Sequence, residues 1–160
     1  MEYIIRSLFT FLVLFLCLSG CSTDDSPNGS SINADTQDLD LREANVTAVK
    51  FDPTSSRFDV TLFHDDDGEA GYADWWQVEL LDGTILGRRE LTHAHGTQEF
   101  TRSAFITVPD GIDYIVIRGH DQTHDYGGQA IVYEINTGTE DKIRQGSEQV
   151  DFRDYPNIAI

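Results

Sequence analysis

From Val46 onward, apolar residues recur at every second position in short runs, and that period excludes most architectures. In Arg57–His64, for example, Phe58, Val60 and Leu62 fall on one face and Asp59 and Thr61 on the other. A period of two places side chains alternately on the faces of a half-buried strand, whereas a helix needs a period near 3.6. Seven such runs can be counted: Val46–Phe51, Arg57–His64, Trp75–Leu81, Thr84–Leu91, Glu99–Val108, Tyr114–His120 and Gln129–Asn136. Residues that favour turns separate them, and no segment sustains a helical period. The expectation is an all-β, seven-stranded antiparallel β-sandwich over residues 46–136. Asp82-Gly83 reads as a two-residue hairpin turn in which both residues take positive φ.

The run Phe105-Ile-Thr-Val-Pro109-Asp-Gly111-Ile-Asp-Tyr114-Ile-Val-Ile-Arg118 resembles the segment joining the fifth and sixth strands of immunoglobulin-like, fibronectin type III domains. That resemblance implies a Tyr114 hydroxyl bonded back to the preceding corner. Tyr72-Ala-Asp74-Trp75, Asp82-Gly-Thr-Ile-Leu-Gly87-Arg88, His93-Ala-His95, Phe100-Thr-Arg-Ser103 and His124-Asp-Tyr-Gly-Gly128 together resemble a small uncharacterised prokaryotic β-sandwich family. In that pattern a glycine more often follows the last histidine, where this chain has Asp125. The likeness implies the fold and no particular role.

Near the N-terminus, Leu8 to Leu18 is apolar except for Thr10, and Leu18-Ser19-Gly20-Cys21 closes it. The run is too short to span a bilayer and has the length of a signal-peptide core. The closing residues resemble the lipobox of prokaryotic lipoproteins. This implies cleavage before Cys21, diacylglyceryl attachment to its thiol and acylation, commonly with palmitate, of its amine. The resulting expectation is a lipid-anchored, extracytoplasmic protein of the cell envelope, at the outer membrane if the host is Gram-negative. Residues 1–20 would be the signal and 21–45 a flexible acidic tether, poor in large apolar side chains. Residues 137–160 read as a polar tail ending in Phe152, Tyr155, Pro156 and Ile158, either disordered or an added strand.

The formal net charge is −17, and lysine occurs only at Lys50 and Lys142. Such a balance excludes nucleic acid as a partner and direct adhesion to anionic lipid heads. It resembles both proteins of salt-rich habitats and acidic secreted proteins in general. Cys17 and Cys21 are the two cysteines, so residues 46–136 hold no disulfide and no thiolate ligand.

Alternating strands bring the loops 65–74, 92–98 and 121–128 to one pole, with all five histidines in or beside them: His64, His93, His95, His120 and His124. Two functional readings follow. The first is binding of a divalent metal by those histidines with Asp65, Asp67 and Asp121. His93 and His95 point to one side of an extended segment, and neutral imidazole with carboxylate suits zinc, copper or nickel. Calcium is the alternative ion, through Asp65-Asp66-Asp67-Gly68-Glu69. The second reading is a protein- or glycan-interaction module, with structural loop histidines and a contact surface at Trp75 or Trp76. Adjacent residues of a strand face opposite ways, so one tryptophan belongs to the core, and Arg88 or Arg89 can lie over the other. Catalysis is not expected. Ser103 beside His93 or His95 lacks a nucleophile elbow, and metal-assisted hydrolysis is a minor third reading.

Overall fold

The computed structural model describes residues 39–66 and 68–156. Eight strands and no helix occur among them: β1 (Asn45–Asp52), β2 (Arg57–Phe63), β3 (Ala73–Glu79), β4 (Ile85–Glu90), β5 (Phe100–Phe105), β6 (Tyr114–Asp121), β7 (Gly128–Glu134) and β8 (Glu140–Gln145). They form two antiparallel sheets, ordered β1-β2-β5 and β4-β3-β6-β7-β8. The expected seven strands are therefore eight. β8 pairs along its length with β7, from Gly128↔Gln145 to Tyr133↔Glu140. Its sequence, Glu-Asp-Lys-Ile-Arg-Gln, carries a single apolar residue, so the alternation that marks the other strands is absent.

The β3–β4 turn also departs from expectation. Gly83 alone takes positive φ, at 84°. The Gly83 amide donates to Leu80 O at 3.0 Å and the Leu80 amide to Thr84 O at 2.8 Å. This is a three-residue loop, in which a tight turn at Leu81-Asp82 is followed by a left-handed glycine. Asp82 shapes it by accepting the Thr84 amide at 2.9 Å.

Phe58, Val60 and Leu62 of β2 meet Trp76 and Val78 of β3, Ile115 and Ile117 of β6 and Ile131 of β7 between the sheets, all fully buried. A second apolar layer lies on the outer face of the larger sheet. There Val116, Ala130, Val132 and Ile143 are covered by the C-terminal segment through Phe152, with Val150 and Tyr155 beside it. Both faces of the sheet's centre are therefore buried, which is why β3 is buried at six of its seven positions. Tyr114 does not close a corner: its ring packs edge-on against Tyr155 in this outer layer, centroids 5.1 Å apart.

The same outer layer holds a buried ion pair. Arg118 and Glu79, both fully buried, meet at 2.8 Å. The guanidinium also donates to Gln145 and to the Val150 carbonyl, and lies 4.9 Å from the Phe152 ring centroid. Gln77 and Gln149 complete the shell around Glu79. Tyr155 donates to Asp141. Burial, with that hydrogen bond second, pushes its hydroxyl pKa up to about 12.

Candidate functional site

The pole formed by the β2–β3, β4–β5 and β6–β7 connections carries every histidine, but it divides them. The inward-facing parity of β2 continues past the strand, so His64 and Asp66 follow Phe58, Val60 and Leu62 into the interior, 2% and 3% exposed. Asp66 then joins three segments. One oxygen accepts from His64 Nδ1 and from the Ala73 amide at 3.0 Å. The other accepts the His95 amide at 2.7 Å and lies 3.6 Å from His95 Nδ1. Burial would raise the carboxyl of Asp66, but these hydrogen bonds and the His64 charge outweigh it and hold it below 3.8.

The remaining His64 nitrogen, Nε2, donates to the Arg42 carbonyl at 2.9 Å and lies 3.9 Å from Asp121 Oδ2. Asp121, fully buried, is the last residue of β6 and shapes the turn after it. Its Oδ1 accepts the amides of Thr123 and His124 at 2.8 and 2.7 Å, and lies 3.1 Å from His124 Nδ1. His120 belongs to a separate group. The opposite parity points it outward, where its Nδ1 meets Asp74 at 2.6 Å and its Nε2 lies 3.6 Å from Asp125.

His93 and His95 do share a side, as their spacing implies, and their rings lie against each other at a tilt. Their ring centroids are 4.7 Å apart with a 30° tilt, and His95 lies flat on Phe100 at 3.9 Å. The His95 side chain is 3% exposed, with both ring nitrogens lacking a hydrogen-bond partner. Burial first, then the Arg102 and His93 charges, lowers its pKa below 6.5. Among the described residues no group of three or more His, Cys, Asp or Glu is placed to hold a metal ion. Asp65 is exposed, and its amide bonds to Leu41 O at 2.6 Å. Asp67 and Cys21 lie outside the described residues.

Both tryptophans are buried. Trp76 is fully buried in the core. Trp75 faces outward but is 7% exposed, because Arg88 sits 3.8 Å above its ring and His120 stacks on it at 4.2 Å. Ser103 lies on the outer face of the smaller sheet, bonded to Asp59 and 3.1 Å from Arg57, with no histidine among its partners.

Three features escaped the sequence reading: Asp66 as the junction of the pole, the Glu79–Arg118 pair, and the attachment of residues 39–44. That last segment is fixed to the histidine pole by the Leu41 and Arg42 carbonyls and by Asn45, whose amide nitrogen donates to Asp40 O and Glu43 O at 2.8 Å. Two glycines admit its backbone. A Cβ at Gly119 or Gly128 would stand 2.7 or 2.8 Å from the Ala44 carbonyl oxygen. The extended parity of β2 was the readable signal for Asp66.

Comparison with known proteins gives one informative likeness. The chain is 57% identical over 123 residues to a protein of Halomicrobium mukohataei named "Putative lipoprotein"; the match covers 75% of this chain and 61% of that protein. The chain thus spans under two thirds of the relative's length. No protein-family profile matches, and no solved structure matches.

Proposed function

We propose that this chain is a lipid-anchored, extracytoplasmic display module that works by binding rather than by catalysis. The observation that carries the reading is the 57% likeness to a protein bearing a lipoprotein name, joined to the Leu18-Ser19-Gly20-Cys21 motif. The strand order β1-β2-β5 and β4-β3-β6-β7 supports a fibronectin type III kind of sandwich, to which β8 adds an edge. Residues 39–44 are fastened at the histidine pole. On this reading the histidines and buried carboxylates organise the end to which residues 39–44 are fastened. Ser103, placed among Asp59 and Arg57, supports a module without a hydrolytic triad.

The test is expression of the full chain in prokaryotic cells beside Cys21→Ser. Wild-type protein should fractionate with membranes, incorporate labelled fatty acid at Cys21 and be digested by protease added outside the cytoplasmic membrane. Cys21→Ser should lose the label and the anchor together. Equal fractionation of the two proteins, or protection of both from external protease, would end the proposal.

A further inference from the structure

The chemistry of His64 leaves little choice of protonation. Its Nε2 faces the Arg42 carbonyl, which can only accept, so Nε2 must carry hydrogen. Its Nδ1 faces Asp66 Oδ1, whose carboxylate already accepts two backbone amides, from Ala73 and His95. A neutral imidazole has one N–H and would leave one of these contacts with no proton between the partners. We propose that His64 is held as a buried imidazolium and acts as a proton-dependent clasp, fastening the last residues of the tether to the sandwich.

The charges facing it come from every element packed on it. Asp66 lies on its own connection, Asp121 at the end of β6 is 3.9 Å away, and among the described residues no other carboxylate is buried at this pole. His95 stands beyond Asp66, and His124 beyond Asp121. From the tether side, Arg42 turns its guanidinium outward to Asp40, and Glu43 packs against Gly127. A positive ring between two buried negative carboxylates is thus the arrangement that leaves neither acid uncompensated. Burial alone would lower the His64 pKa; the hydrogen bond to Asp66 and the charges of Asp66 and Asp121 overcome it and raise the pKa above 6.5. The sign follows. A proton bound more tightly in the folded state stabilises it below the unfolded pKa, and that stabilisation disappears as pH rises through the folded value. The Asp66 carboxylate is the stronger acceptor and keeps the Nδ1 proton, so the proton lost at alkaline pH is the one on Nε2, which should free the Arg42 carbonyl and, with it, the Leu41–Asp65 contact.

The deciding measurement is made on the full chain in detergent, with ring-15N histidine. At a pH where free histidine is neutral, His64 should show protons on both ring nitrogens. A single bonded proton there would overturn the imidazolium. For the clasp, trypsin cleavage after Arg42 is followed by mass spectrometry relative to cleavage after Arg153, across the same pH range. The ratio should rise severalfold as His64 loses its proton, and a flat ratio would overturn the clasp. His64→Gln assigns the resonances where it folds. Asp66→Asn supplies a second route: it keeps the shape, removes the charge and should lower the pH at which His64 loses its second proton. An unshifted His64 in that variant would sink the pairing.

Discussion

Arg118–Glu79 and His64–Asp66 are both buried pairs at the limits of the apolar core, yet the fold uses them differently. The first lies on the outer face of the larger sheet, where Gln145, Gln149 and the Val150 carbonyl saturate it and Phe152 covers it. The second lies at the histidine pole, where its partners are backbone groups of the segment before β1, the start of β3 and the β4–β5 connection. An arginine keeps its charge across the range in which an imidazole changes, so one pair is a fixed rivet and the other a titratable one. Where a charge is buried says less about its role than which cation accompanies it.

The largest test of that contrast is Arg118→Ala. It strands the Glu79 carboxylate in a buried site and releases the C-terminal segment, so stability should fall by about 3–5 kcal/mol in denaturant unfolding. Replacing both partners, as Arg118→Met with Glu79→Leu, should cost far less, since the desolvated charge is gone. If the double replacement is as damaging as the single one, the pair does more than compensate charge. Phe152→Ala attacks the same segment through packing. It should cost about 3 kcal/mol, the low end for a buried phenylalanine, because a covering segment collapses more readily than a core.

Asp66→Asn comes next, at about 1–3 kcal/mol near neutral pH, because the amide NH2 must replace one of the two oxygens and so turns a donor toward either the Ala73 or the His95 amide. Its pH profile sharpens the comparison. In the wild type, the lowered Asp66 pKa stabilises above 3.8 and is lost as pH falls through the folded value. The raised His64 pKa stabilises below 6.5 and is lost as pH rises through its folded value. Stability should thus form a plateau between those limits, and Asp66→Asn should flatten both flanks. A wild-type profile that keeps rising through neutral pH would contradict the pairing.

The β-sandwich was legible because strands with one face in a core repeat their apolar residues at period two, and β2 shows this at Phe58, Val60 and Leu62. The gathering of histidines at one pole was legible too, since alternating strand direction assigns connections to ends. What could not be read is how the polar residues pair. His64 and Asp66 continue the β2 parity, but a run of acids looks solvated until the register is known. His120 is brought beside Asp74 where β3 slips register between Ala73 and Trp75, an irregularity that period two does not encode. Residues 137–160 stayed open between disorder and an added strand, and the cover over Val116 and Val132 was not readable, for a simpler reason: Ile143 and Phe152 stand alone among polar neighbours, with no periodicity to announce them.

The smallest predicted effect concerns the boundary between the two pairs. On the outer face of β3, Trp75 stands between the guanidinium of Arg88 and the ring of His120. Arg88 also donates to Gln77 at 2.9 and 2.6 Å, and Gln77 contacts Glu79, so this row connects the pole to the covered face. Arg88 is exposed, so water can replace its bonds to Gln77 once the side chain is gone, and Arg88→Ala should cost only about 1 kcal/mol through the lost cation–π contact and those bonds. Its optical effect should be larger. Trp76 is fully buried and unaffected, so any red shift in tryptophan emission and any gain in quenching by iodide report Trp75. A clear gain would mean that the indole is covered by a single mobile side chain, and that the aromatic surface expected from the Trp-Trp pair is present but roofed. If emission and quenching stay unchanged, Trp75 is enclosed by His120 and Tyr126, whose ring stands edge-on at 5.5 Å, and it belongs to the rigid structure of the pole.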